Sequence, residues 1–303
     1  MSATGYILIG MAIFGLFGNV NIVVATFRKK NLRNKCGMLI CLIAVYDTVC
    51  LLCEVVGGVR IISGVRIDRQ TCFKVNIAYF WAQMLSVSTL IGLALDRLIA
   101  VTFPLKYVSY STVSTVIVST LPGVIFSVVF TALGLIYWDE ENTTVPVCIP
   151  TVLFPHWIQV YPNWTLMFMN MLVFCVYSSA YVALLVRKRQ FLQKSHLHSS
   201  LKNHERAMKS ITVFMVIFTI SWFVSQIEMT LTVQLNHPPN LFPPFMRGSL
   251  FVPVIVSYSQ CYYVLFWRSS EYREAFIKQL SCGRSGDGCC KTLYLQTSVS
   301  STT

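Results

Sequence analysis

Seven predominantly apolar stretches, separated by polar segments, set the pattern of the chain: 5–27, 36–62, 73–101, 113–137, 164–186, 210–235 and 248–267. Each is close to the ~20 residues that carry an α-helix across a ~30 Å hydrocarbon core. A lone strand leaves its backbone unsatisfied in lipid, so the pattern predicts helices. The predicted fold is all-α, a seven-transmembrane-helix bundle. The second, third and sixth stretches run long and should tilt or project past the bilayer. Pro122 and Pro253 fall inside the fourth and seventh and should kink them. The first stretch lacks a basic leader and is too long for a cleavable signal, so it reads as a span. No internal repeat of the transporter kind is visible.

Composition supports a membrane solvent. Hydrophobic residues make up 55% of the 303 and charged residues 12%, with a mean hydropathy of +0.62. An ordinary soluble domain has about 25% charged residues, so too little polar surface remains here to face water. The net charge of +12 changes the picture only through its distribution. Nineteen of the 24 lysines and arginines fall in the first and third inter-helix loops on one side, at Arg97 and Lys106, and after the seventh stretch. The positive-inside rule makes that side cytoplasmic and puts the N-terminus outside. The excess charge then faces the lipid bilayer's anionic inner leaflet, and nucleic acid is not a partner.

The opposite side agrees. Residues 138–163 contain no lysine or arginine and carry Asp139, Glu140 and Glu141. Asn142-Thr143-Thr144 and Asn163-Trp164-Thr165 are glycosylation acceptor patterns. Asn142 is the candidate, because Asn163 lies close to the bilayer. Of the eleven cysteines, Cys36, Cys41, Cys50, Cys53, Cys175 and Cys261 sit in apolar stretches and read as small hydrophobes. Cys72 opens the third stretch and Cys148 is the other outer-side cysteine, so an oxidising exterior predicts a Cys72–Cys148 disulfide.

Charges inside spans are costly and usually functional. Asp47 lies midway along the second stretch. It is either a structural polar residue or a sodium or proton site that switches with conformation, with Ser86 able to share it. Asp96-Arg97 closes the third stretch at the cytoplasmic side. A guanidinium next to a carboxylate can be held locally and released to a partner; the bland alternative is snorkelling to the interface.

Several motifs then resemble one family. Gly18-Asn19-Val20, Ile43-Ala44-Val45-Tyr46-Asp47, Cys72 and the run from Asp96-Arg97 through Pro104-Leu105-Lys106-Tyr107 resemble the rhodopsin-like G-protein-coupled receptors, in this order. Phe218-Thr219-Ile220-Ser221-Trp222 resembles that family's sixth-helix motif, and Ser269 to Phe276 its short amphipathic eighth helix. The texture is most similar to the nematode serpentine chemoreceptors of the Srsx class. Ala25 to Lys30 and Phe266-Trp267-Arg268-Ser269 point that way.

The resemblance implies a plasma-membrane receptor that binds an extracellular small-molecule or peptide ligand and activates a heterotrimeric G protein. Asp96, Arg97 and Pro104 would couple to the G protein. Asn19, Asp47, Phe218, Trp222 and Tyr262 would form the activation switch. Tyr79, Gln83, Ser225, Gln226 and Met229 would line the ligand pocket, with Glu54 and Arg60 on the second helix. Tyr79 stands where amine receptors carry an aspartate, so the resemblance disfavours a cationic amine and suits an uncharged or weakly polar molecule. The family's tryptophan in helix four, its prolines in helices five and six, and its seventh-helix Asn-Pro-x-x-Tyr are missing. Val224 stands at the helix-six position, and Cys261-Tyr262-Tyr263-Val264-Leu265 replaces the last motif. The loss of that asparagine weakens sodium coordination at Asp47.

Residues 1–280 are expected to form the receptor domain with its eighth helix, and 281–303 a short disordered cytoplasmic tail. Tyr272, Phe276 and Leu280 fall at i, i+4, i+8 and predict one apolar face on the eighth helix. Cys282, Cys289 and Cys290 follow it as candidates for acylation. His196, His198 and His204 lack the companions of a coordination shell. No phosphate loop, nucleophile elbow or zinc motif appears, so no catalytic residue, metal ligand or cofactor is assigned. The alternative is a transporter or channel, which would need charged residues along a water-filled path.

Overall fold

The computed structural model describes residues 2–65, 67–137, 144–145, 148, 154, 156–192, 212–227 and 252–282. Nine α-helices lie within them. They are α1 (Ser2–Arg28), α2 (Lys35–Ser63), α3 (Arg69–Thr102), α4 (Pro104–Ser109), α5 (Thr112–Ile136), α6 (His156–Leu192), α7 (Thr212–Ile227), α8 (Val252–Arg268) and α9 (Ser270–Cys282). Among the described residues, α1, α2, α3, α5 and α6 are long and apolar enough to cross a membrane, and α7 is a shorter apolar helix. With α8 these make a seven-helix bundle, and α9 is the short eighth helix that follows it.

Local chemistry sets the ends. Asn34 caps α2 by accepting from the Gly37 amide at 2.9 Å. Gly64, in the left-handed region at φ 65°, closes α2 with its N–H bonded to the Arg60 carbonyl; only glycine takes that conformation freely. Asp68 caps α3 with bonds from the Thr71 amide (2.9 Å) and hydroxyl (2.7 Å). These bonds hold its carboxyl below the usual aspartate range. Pro104 starts α4, where a missing N–H costs nothing. Ser111 caps α5.

α3 runs through the middle, packed against α2, α5 and α6, while α1 packs on α2 and α8. The α3–α5 seam is built from small residues. Ser88 donates to the Ser119 carbonyl at 2.7 Å and accepts from the Gly123 amide at 3.1 Å. A Cβ on Gly123 would lie 2.8 Å from the Met84 carbonyl oxygen. Close backbone approach of this kind is how helices associate in lipid, and here it serves where the family's helix-four tryptophan is missing. Trp81 of α3 adds a bond to Thr131 of α5 at 2.9 Å. On the outer surfaces, Phe14, Val118, Phe168 and Ile220 are exposed, as lipid-facing side chains should be.

A two-stranded antiparallel pair, β1 (Ile67–Asp68) and β2 (Thr144–Val145), lies beside the start of α3. The sequence pattern did not anticipate it. Other boundaries also differ from expectation. α6 begins at His156, ahead of the apolar stretch at 164, and takes in Pro162. His156, Gln159 and Asn163 interrupt the apolar run without interrupting the helix. Pro122 lies within a helix that continues on both sides of it. Pro253 is the second residue of the described part of α8, and residues 228–251 ahead of it lie outside the described residues. On α9, Tyr272 and Phe276 are buried with Ala275, but Leu280 is 46% exposed. The packed face therefore follows i, i+3, i+4 and drifts away from Leu280. Residues 228–235 of the sixth stretch and the tail beyond Cys282 lie outside the described residues.

Candidate functional site

Three polar layers are strung along the axis of α3. At its C-terminal end Arg97 is 8% exposed and paired with its neighbour Asp96. Its Nε donates to Asp96 Oδ2 at 3.0 Å, and its Nη2 reaches the Tyr107 hydroxyl at 3.4 Å. Tyr107 belongs to α4, and Lys35 of α2 holds that helix in place. The Lys35 ammonium donates to the Tyr107 carbonyl and sits 4.0 Å from its ring centroid. Burial and the Asp96 carboxylate push the Tyr107 phenol above its ordinary range, so it stays a neutral hydroxyl facing Arg97. Asp96 Oδ1 is buried without a partner. Pro104 is exposed at the head of α4, and Leu105 and Val108 project from the same helix.

The middle layer holds Asp47 and Asn19, both buried. Ser86 donates to Asp47 Oδ1 at 2.8 Å. Asn19 turns instead to α8, donating to the Tyr258 carbonyl at 3.1 Å. The other titratable groups that sense Asp47 include the Cys50 and Cys261 thiols. Among the described residues no group of three or more His, Cys, Asp or Glu could hold a metal ion. Tyr262 does not face this layer's carboxylate with its ring. It packs against Phe17 of α1 and, at 4.5 Å between centroids, against Phe276 of α9. Trp222 and Phe218 of α7 are buried in the main apolar core, Trp222 edge-on to Phe223.

The third layer is at the N-terminal end of α3. Cys72 and Cys148 form a disulfide with Cα atoms 5.6 Å apart, next to the β1–β2 pair. Gln83, further along α3 from Cys72, and Ser225 and Gln226 of α7 are buried. Among the described residues Gln83 Oε1, Ser225 Oγ and Gln226 Oε1 have no hydrogen-bond partner. Tyr79 does not join them. Its ring lies in a separate cluster with residues of α1, α2 and α8, and its hydroxyl donates to Tyr258 at 3.3 Å. Met229 and Asn142 lie outside the described residues, as do Cys289 and Cys290.

Four contacts were not foreseen from sequence. Tyr107 is the second partner of Arg97. Tyr177 of α6 and Thr212 of α7 join their hydroxyls at 3.1 Å. Arg187 of α6 donates to the Thr102 carbonyl at 3.3 Å. Tyr258 links α8 to both α1 and α3. A tyrosine within an apolar helix is the one signal that could have found Tyr177 and Tyr258, since a buried phenol needs a partner.

A buried ion pair at one end of a central helix, a disulfide at the other, and unpartnered polar groups between them suit a molecule that carries a signal along its axis. A comparison with curated proteins finds no match. The sequence model of the serpentine-type seven-transmembrane G-protein-coupled chemoreceptor Srsx matches residues 12–280. The chain belongs to this Srsx family of chemosensory G-protein-coupled receptors, multi-pass proteins of the plasma membrane whose partners are an extracellular ligand and a G protein.

Proposed function

We propose that a small molecule enters the Cys72 end of the bundle from outside and that its binding loosens the Asp96–Arg97–Tyr107 contact at the cytoplasmic end. The observation that carries this reading is the closed state of that contact: Arg97 is buried and occupied by two partners. Freed, the guanidinium and the exposed Pro104, Leu105 and Val108 of α4 would form the docking face for a heterotrimeric G protein. Gln83, Ser225 and Gln226 would meet the ligand. A buried polar atom without a partner costs about 1–3 kcal/mol, and a ligand or water that bonds it recovers that cost. We assign no catalytic step to the chain: the work is a shift between two packed states. Residues 1–280 act as the receptor unit and 281–303 as its cytoplasmic tail.

Orientation follows the same reading, with the N-terminus outside. The charge asymmetry supports it, as does the rise of α3: 25 residues from Cys72 to Arg97 span about 37 Å. An epitope tag at the N-terminus is expected to stain intact cells, and one after Thr303 only permeabilised cells. Reversed staining would overturn the orientation.

Trp222 and Phe218 stand between the two ends, and a large ring in a packed core can rest in more than one rotamer. With Val224 in place of proline, α7 runs as continuous helix through this point, so its swing must originate in the packing around Trp222. Trp222→Leu and Phe218→Ala are expected to lower the maximal response to an agonist more than they change its binding. Equal binding and equal signalling would leave both residues as packing alone.

A further inference from the structure

Glu54 sits in the half of α2 nearer the disulfide, and the sequence reading set it beside the ligand pocket without giving it a task of its own. It is an acidic side chain inside a membrane span. Among the described residues it makes no ion pair, and Arg60 and Lys74, the basic residues nearest on α2 and α3, are not bonded to it. Charges at such depth are normally paired.

The face of α2 that carries it is turned inward. Leu52, Val56 and Val59 are 51%, 44% and 52% exposed and mark the lipid side. Cys50, Glu54 and Gly57, at i, i+4 and i+7, lie on the opposite face. Across from it stand Tyr79 of α3 and Tyr258 of α8, both buried. Their rings meet edge to face, centroids 6.2 Å apart at 82°. The Tyr79 hydroxyl donates to Tyr258 at 3.3 Å, and both phenols are near enough to Glu54 to interact with it electrostatically. A phenol has one proton to give, and a carboxylate has about four acceptor sites, so most of the acceptor capacity of Glu54 is left open. One turn above it, a Cβ on Gly57 would meet no atom within 4 Å, although this glycine faces the bundle. Space and unmet acceptor capacity therefore coincide.

We propose that Glu54, Tyr79 and Tyr258 form a subsite for the protonated amine of a small ligand, with the space beside Gly57 admitting it. The carboxylate supplies the counter-charge on binding the ammonium, and the phenol oxygens of Tyr79 and Tyr258 offer further acceptors for its protons. The anionic anchor is thus on α2, and the tyrosine on α3 supports it in place of an aspartate. This inference rests on the reading of the disulfide end as the ligand's entry.

The test uses the full-length receptor in detergent micelles and its thermal unfolding. The probes are phenethylammonium, whose ring matches the aromatic walls, and 2-phenylethanol, its neutral counterpart. At about 10 mM the amine is expected to raise Tm by about 3 °C, and the alcohol to leave it unchanged. Glu54→Gln should lose the shift by removing the charge. Gly57→Leu should lose it by filling the space with the carboxylate intact, so a folding defect in one variant does not decide the matter. Equal shifts from both probes, a shift retained in Glu54→Gln, or no shift from either probe would overturn the subsite. Basal nucleotide exchange on a G protein, measured on the same preparations, reads the receptor mechanism separately, so the two ideas can fail independently.

Discussion

Arg97→Ala is expected to abolish G-protein activation while leaving most of the receptor at the cell surface. Arg97 donates to Asp96 Oδ2 and to the Tyr107 hydroxyl, and all three groups belong to α3 or the short helix after it. Its loss therefore breaks no bond between distant spans and should spare folding. What disappears is a buried cation at the cytoplasmic end that a partner could take up. Asp96→Asn tests the same contact in the opposite sense. A hydrogen bond to a charged group is worth about 1.5–3 kcal/mol. Weakening it should shift the closed-to-open equilibrium by about 10- to 100-fold and raise basal activity by a visible part of that. Nucleotide exchange on a purified G protein, normalised to surface receptor, measures both. Unchanged exchange in Arg97→Ala would remove this residue from coupling.

Replacing Cys72 or Cys148 by serine should have a comparably large effect on a different property. The bond closes a segment of 76 residues between the head of α3 and the outer connection. Its loss should cost about 2–4 kcal/mol of stability. The β1–β2 pair joins the same two segments through Ile67 with Val145 and Asp68 with Thr144. A two-residue ladder alone is too short to hold them, so both constraints should fail together. The single variants are expected to be retained inside the cell and, if purified, to melt lower. The double variant should match either single one, because each already removes the bond. Free thiols at both positions in the mature receptor would end the argument.

The spans were legible because apolar stretches of membrane length have few other uses. Their ends were less so. α6 begins at His156 because a helix projecting past the bilayer tolerates histidine, glutamine and proline, which a hydropathy reading takes for a loop. The Asp96–Arg97 ion pair was visible because it is local in sequence. The direction of Tyr79 was not. Periodicity shows that it faces inward, but whether it turns toward α7 or toward α2 and α8 depends on how α3 is rotated, and Tyr258 settles that through its hydroxyl. Glu54 was visible as a charge, but that it has no counter-ion among the described residues is a property of the packed bundle alone. The strand pair was hidden because two-residue strands have no periodicity to read.

One end of the molecule is strapped shut. Gln279 of α9 donates to Asn21 of α1 at 2.9 Å, and Tyr263 of α8 donates to the Phe14 carbonyl at 3.0 Å. Glu274 bridges Lys278 at 2.8 Å and Lys29 at 3.4 Å, and the two ammonium groups hold its carboxyl below the usual glutamate range. With Asn19 bonded to Tyr258, α1, α8 and α9 are stitched at several heights. Across the bundle, Tyr177 to Thr212 and Arg187 to Thr102 join α6 to α7 and α3. The stitched helices thus act as a stator: they give the bundle a fixed frame against which any movement of its other helices would be measured.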